Sequence, residues 1–148
     1  MEIDYLEGEW EGFYTYGPMY PEYLQATKEH FTLTLTVRDG ILYGTLIDSY
    51  VREYFTEPAT VVGTLVDRTL SLVKKYQYFL GIDENDQTYV DQTQPGHDIH
   101  YIGQLKRKLF SRDYFVAGTW DISGSYLDEF GNACYYSDDG EWEMHRKK

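Results

Sequence analysis

The chain has 148 residues, 42% hydrophobic and 26% charged, with an 18% aromatic share that includes 16 tyrosines; this length suits one domain built on one core. Thirteen Lys and Arg against 25 Asp and Glu give a formal charge of −12, which repels phosphate backbones over most of the surface and argues against a nucleic-acid partner. A single cysteine, Cys134, excludes an internal disulfide and a multi-cysteine metal site, and no stretch approaches the length of a membrane-spanning apolar helix.

The opening MEIDYLEGEW lacks the basic-then-apolar pattern of a leader, so a cytoplasmic location is expected. From there the dominant signal is period-two alternation in short runs broken by Gly, Pro and Asp, which predicts half-buried antiparallel strands. A first strand spans about Gly8 to Tyr16. In His30 to Arg38, Phe31, Leu33, Leu35 and Val37 fall on one face and three threonines with Arg38 on the other, a pattern no helix tolerates. Asp39-Gly40 suits a type I′ turn, so this run forms a hairpin with Ile41 to Asp48. Strands follow at Ala59 to Val66, Thr69 to Tyr76 after a tight Asp67-Arg68 turn, Asp98 to Lys106, Asp113 to Ile122 and Gly140 to Arg146. The longer segments between them, Gly17 to Glu29, Ser49 to Glu57, Gln77 to His97 and Ser123 to Asp139, are expected to hold a short helix, a lid or extra strand length. Helical character is best at Pro21 to Glu29, where proline can start a short helix.

Glu9 and Glu11 belong in water, which sends Trp10, Gly12, Tyr14 and Tyr16 inward. The same parity turns Asp48, Lys74, Tyr76 and Tyr101 inward among Leu, Val and Ile neighbours, with Trp120, Trp142 and Met144 from the last two strands. Five strands carry a mid-run glycine on the inner face. Interior glycines weaken a flat sheet but relieve crowding where strands bend to close. The expected fold is therefore all-β: one domain over residues 1–148, an up-and-down antiparallel barrel of about eight strands, with a two-sheet sandwich as the competing arrangement.

The Gly8-Glu9-Trp10 opening, the meander and Arg146 just past the Trp142 and Met144 face resemble the calycin superfamily of lipocalins, fatty-acid-binding proteins and avidins. LYGTLID, TVVGTLVD and IHYIGQL are similar to avidin strands. The resemblance implies a calycin-like, ligand-binding barrel in which Trp10 plugs one end and Arg146 packs across it. It identifies no ligand: Leu46 stands inward where a polar contact would be expected, and the second lipocalin motif is not evident. The G-x-W-x-G-x-Y opening and terminal G-x-W-x-M strand also resemble a group of uncharacterised small bacterial proteins, which implies no activity. The haem-binding barrel nitrobindin opens with a similar G-x-W-x-G, but the parity of His145 with Glu141 and Glu143 turns its ring outward. No cofactor is expected.

Tyr14, Tyr16, Asp48, Lys74, Tyr76 and Tyr101 are the candidate ligand-binding residues, because small-molecule pockets join aromatic walls to a few convergent polar groups. The bland alternative is a full interior in which Lys74 pairs with Asp48 and the hydroxyls bond one another. His97 and His100 are three apart, on opposite faces if both lie in a strand, which disfavours a shared metal. Asp83 to Asp91 lacks the glycine and terminal Glu of a calcium loop, and Ser137 to Glu141 reads as a turn. On the outward parity, Phe13, Tyr43, Val62, Val73 and Ile102 offer an apolar strip for a possible homo-oligomer.

The leading expectation is a non-catalytic barrel that takes a small, partly apolar molecule through the end framed by the Gly17 to Glu29, Ser49 to Glu57 and Gln77 to His97 loops. A protein-interaction module using its acidic, tyrosine-rich loops or outer face is the alternative. A small barrel enzyme built on Lys74 and Tyr101 is a third reading.

Overall fold

The computed structural model describes residues 3–85, 87–110, 113–127 and 129–148. The alternating runs form β1 (Gly8–Tyr14), β2 (Glu29–Arg38), β3 (Ile41–Asp48), β4 (Ala59–Val66) and β5 (Thr69–Lys75). A two-stranded hairpin of β6 (Phe79–Ile82) and β7 (Thr88–Asp91) stands apart, and the main sheet resumes with β8 (Ile99–Arg107), β9 (Tyr114–Leu127) and β10 (Ala133–Arg146). Each main strand pairs antiparallel with the next. β10 returns to β1, placing Trp10 opposite Arg146 and Tyr14 opposite Trp142, so the sheet closes into an eight-stranded barrel of calycin-like, up-and-down topology. The sandwich alternative is excluded by that last pairing.

The inner face follows the predicted parity. Phe31, Leu33 and Leu35 of β2, Leu42 and Leu46 of β3, and Leu70 and Leu72 of β5 are buried, while the threonines between the β2 positions meet solvent or its margin. Closure depends on strands approaching closely at the glycines. A Cβ on Gly12 would sit 2.0 Å from the Glu143 carbonyl oxygen, and one on Gly118 would sit 1.9 Å from that of Ile102. Both distances are far inside atomic contact, so no larger residue fits these bends.

One end of the barrel is plugged. A 3-10 turn (Ile3–Leu6) lies across it, and Trp10 donates its indole N–H to the Leu6 carbonyl at 2.9 Å. The Arg146 guanidinium packs 4.7 Å from the Trp10 ring centre and 4.8 Å from that of Tyr5, donating to the Glu7 carbonyl at 2.8 Å and to the Tyr5 carbonyl. Cation, rings and carbonyls together shut this end against water.

The sequence reading and the structure part in several places. β1 ends at Tyr14, although the amides of Thr15 and Gly17 still reach the β10 carbonyls of Glu141 and Asp139, each at 2.8 Å. The segment Ser137 to Glu141 is not a turn: it lies within β10, which pairs with β9 from Ala133 opposite Leu127 onward. This ribbon continues the backbone pairing of the two strands past the barrel ladder, and its sequence lacks the apolar alternation that marks the other strands. The Gln77 to His97 segment contains the β6–β7 hairpin. Gly17 to Glu29 contains only a single helical turn, α1 (Glu22–Gln25), and Ser49 to Glu57 holds α2 (Ser49–Tyr54). On the outside, Tyr43, Val62 and Val73 align in one cross-strand row over β3, β4 and β5. Phe13 does not join them; it lies on β1 opposite His30 of β2, with the Lys28 ammonium 4.4 Å from its ring centre. No helix among the described residues is long and apolar enough to cross a membrane.

Candidate functional site

Opposite the plugged end, β1, β3 and β5 finish and β8 begins, and the side chains there meet in the lumen. Asp48 is the last residue of β3 and also the N-cap of α2, and it is fully buried. Its Oδ1 accepts from the Val51 amide at 2.9 Å, as an N-cap carboxylate does. Its Oδ2 accepts from the Tyr76 hydroxyl at 2.5 Å, the Tyr14 hydroxyl at 3.0 Å and the Lys74 ammonium at 3.3 Å. Lys74 also donates to the Tyr101 hydroxyl at 3.1 Å and stands 4.5 and 4.6 Å from the ring centres of Tyr14 and Tyr76.

A buried charge is tolerated only when paired and hydrogen-bonded, and this cluster meets both conditions. Burial pushes the Asp48 carboxyl up, but the Lys74 ammonium and the donors from Tyr76, Val51 and Tyr14 more than reverse it, so its pKa lies below the ordinary value. Burial pushes Lys74 down; the Tyr101 oxygen and the Asp48 carboxylate outweigh that and leave it raised. Burial, reinforced by neighbouring oxygens, holds Tyr14 and Tyr76 well above the usual phenol range. Burial also raises Tyr101, against the pull of Lys74. At neutral pH the cluster is one carboxylate, one ammonium and three neutral phenols, with no net charge.

Five of the six predicted residues therefore converge: Tyr14, Asp48, Lys74, Tyr76 and Tyr101. Tyr16 lies apart. Its hydroxyl meets that of Tyr50 at 2.7 Å and reaches Glu29 at 3.4 Å, and the other Glu29 oxygen accepts from Ser49 at 2.5 Å. This second network belongs to the rim, where burial first of all pushes the Tyr50 hydroxyl up to about 12.

Between cluster and rim is a cavity of about 110 Å³. Lys74, Tyr76 and Tyr101 form its floor, Trp120 and Ile122 of β9 part of its wall, and the β6–β7 hairpin contributes Leu80. Below the cluster, among Phe31, Leu33, Leu46 and Trp142, a void of about 10 Å³ is at or under the size that admits one water. The space above the cluster is thus about ten times that void. Beyond the predicted set, the structure adds Tyr20 and Tyr50 at the rim, and Leu80 and His97 from the segment before β8. The many tyrosines in the loops were the available signal; which of them turn inward depends on the fold of segments without alternation.

His97 precedes β8 and lines the cavity, whereas His100 lies outward on β8, so the two do not share a ligand. Among the described residues no group of three His, Cys, Asp or Glu side chains is placed to hold a metal ion. In the acidic Asp83 to Asp91 run, Asp83 accepts from the amides of Asn85 and Gln87 and so builds a turn; Asp86 lies outside the described residues. No protein-family model, curated protein or solved structure matches the chain, so the reading of this site rests on its own geometry.

Proposed function

We propose that the protein is a non-catalytic binding barrel of lipocalin-like or avidin-like type, which takes a small, partly apolar molecule through its open end. The observation that carries this reading is the unfilled space of about 110 Å³ above a polar floor whose two charges are paired within the chain. Aromatic walls supply contact area and the hydroxyls at the floor supply orientation, the usual division of labour in small-molecule sites. Catalysis by Lys74 is disfavoured because its nitrogen is held as an ammonium beside Asp48, without the free electron pair that a base or Schiff-base former needs. Native mass spectrometry of protein purified from its own cells tests the proposal. A retained small molecule that disappears in an Ile122→Trp variant, whose larger ring fills the cavity, is the expected result. A bare mass, together with no saturable quenching of tryptophan emission across a library of ring-sized compounds, overturns it.

The outer row of Tyr43, Val62 and Val73 favours a second reading, a scaffold that pairs with another copy of the chain through the β3–β5 face. Val62 is 44% exposed and Ile102 on nearby β8 is 48% exposed. Sedimentation at increasing concentration tests this reading: a dimer in the parent chain that becomes a monomer in Val62→Glu supports it, and a monomer throughout rejects it.

A further inference from the structure

The protons in the cluster can be followed individually. Tyr14 and Tyr76 each spend theirs on Asp48 Oδ2, and the Val51 amide spends its own on Oδ1. Lys74 gives one N–H to Asp48 and one to Tyr101, and the ammonium faces the rings of Tyr14 and Tyr76. Trp120, the buried tryptophan of the wall, spends its indole N–H on the Thr15 carbonyl at 2.8 Å. Tyr101 is different among these buried residues. Among the described residues, the one hydrogen bond of its hydroxyl is the bond it accepts from Lys74, so its own O–H proton has no acceptor in the chain, although the residue is only 5% exposed and lines the cavity. A buried donor without an acceptor is costly.

We infer that the cavity selects an uncharged molecule with one hydrogen-bond-accepting oxygen on a flat apolar body, an aromatic ketone being the simplest case, and that the Tyr101 hydroxyl is the group that reads that oxygen; this rests on the binding function proposed above. Charge supports the choice. Asp48 and Lys74 already cancel, so a carboxylate would enter as an uncompensated buried anion, and a cation would approach the Lys74 ammonium. Bond polarisation supports it as well: a phenol that accepts from an ammonium becomes a stronger donor, as hydrogen bonds in a chain reinforce one another. Size sets an upper bound: the space of about 110 Å³ is smaller than the cavity of roughly 150 Å³ that holds benzene, so the molecule is at most a single ring, with any remainder standing at the rim beside Tyr20 and Tyr50.

Three probes of one shape decide it: acetophenone carrying carbon-13 at its carbonyl, α-methylstyrene, in which a methylene replaces that oxygen, and benzoate. Acetophenone is expected to bind at least tenfold more tightly than α-methylstyrene, with its carbonyl resonance moving downfield, and benzoate more weakly than acetophenone. Tyr101→Phe is expected to abolish both the tenfold difference and the resonance shift while leaving α-methylstyrene affinity within about twofold. Equal binding of acetophenone and α-methylstyrene with an unmoved carbonyl resonance overturns the role of Tyr101 and leaves the binding function standing. Tighter benzoate binding overturns the selection for an uncharged molecule. Failure of all three probes to bind the parent chain removes the inference together with the binding reading. The parent-chain comparison and the carbonyl shift need no variant, so they decide the matter even if Tyr101→Phe folds poorly.

Discussion

Asp48 and Lys74 meet at 3.3 Å across β4, which separates their strands, and neither is exposed. The two halves of this pair are not equivalent. Lys74→Met leaves Asp48 with three donors, from Tyr14, Tyr76 and Val51, so the carboxylate stays solvated by the protein. Asp48→Ala strands the ammonium and removes the acceptor from all three donors at once, the helix cap included. Breaking a buried pair from one side costs about 3–5 kcal/mol, and Asp48→Ala is expected at or above the top of that range. Lys74→Met is expected to cost less, about 1–3 kcal/mol, as for a hydrogen-bonded group losing one of several partners. Urea denaturation of both variants checks the order; equal losses would mean that Asp48 does not organise the cluster.

The same groups set the pH range of stability. Asp48 has a folded pKa below its unfolded value of about 3.9. Its contribution is therefore present above that value and is lost as the pH falls through the folded one. Lys74 and the tyrosines Tyr14, Tyr76 and Tyr101 are raised. Their contribution is complete below their unfolded values, near 10, and is lost as the pH rises toward the folded ones. Stability is expected to hold across neutral pH and fall at both extremes. On the alkaline side, absorbance at 295 nm is expected to rise in a late, steep step coincident with loss of the near-ultraviolet dichroism, because the buried phenols ionise only when the barrel opens. A gradual rise of all tyrosines near pH 10, with the fold intact, would contradict their burial.

How far the sequence reaches is clearest in individual residues. The His30 to Arg38 run and the Asp39-Gly40 pair specify β2, its turn and β3 almost to the residue, because alternation and turn chemistry agree. Parity also turned Asp48 and Lys74 inward correctly. It did not foresee that Asp48 caps α2, since that depends on Ser49–Tyr54 folding as a helix immediately after the strand. Tyr16 carried the right parity, but β1 ends two residues before it and its hydroxyl goes to Tyr50. The β6 and β7 strands are four residues each and bury little, so they lack the periodicity that marks the others. The cavity wall they add was illegible for the same reason.

A turn on the closed side offers a test free of side-chain contacts. Asp67 and Arg68 connect β4 to β5 with φ of 48° and 68°, both left-handed. Aspartate visits this region readily, whereas arginine pays roughly 1–2 kcal/mol there. Glycine avoids that penalty but loses more chain entropy on folding, about 0.5–1 kcal/mol. Arg68→Gly is expected to stabilise the protein by up to about 1 kcal/mol, a rise of roughly 2–4 °C in Tm per kcal/mol for a domain of this size. Gly40, with φ of 75° and nothing within 4 Å of the site of a Cβ, is the natural control. Gly40→Ala is expected to destabilise by a similar amount. If both substitutions are neutral, backbone conformation is not what limits these turns.

The plugged end makes the last prediction, because there one side chain joins the first residues of the chain to its final strand. The Arg146 guanidinium of β10 lies in the angle between the edge-to-face rings of Tyr5 and Trp10 and donates to the carbonyls of Tyr5 and Glu7. Each hydrogen bond from a charged donor contributes about 1.5–3 kcal/mol and each exposed ring contact about 0.5–1 kcal/mol, but these groups act as one unit and their losses do not add. Arg146→Ala is expected to cost about 2–4 kcal/mol and to shift the emission of Trp10, fully buried in the parent chain, toward longer wavelength. Arg146→Lys keeps the charge but loses the planar fork that reaches two carbonyls at once while remaining beside both rings. It is therefore expected to recover less than half of the loss. Full recovery by lysine would make the charge, and not the shape of the guanidinium, the feature that seals this end.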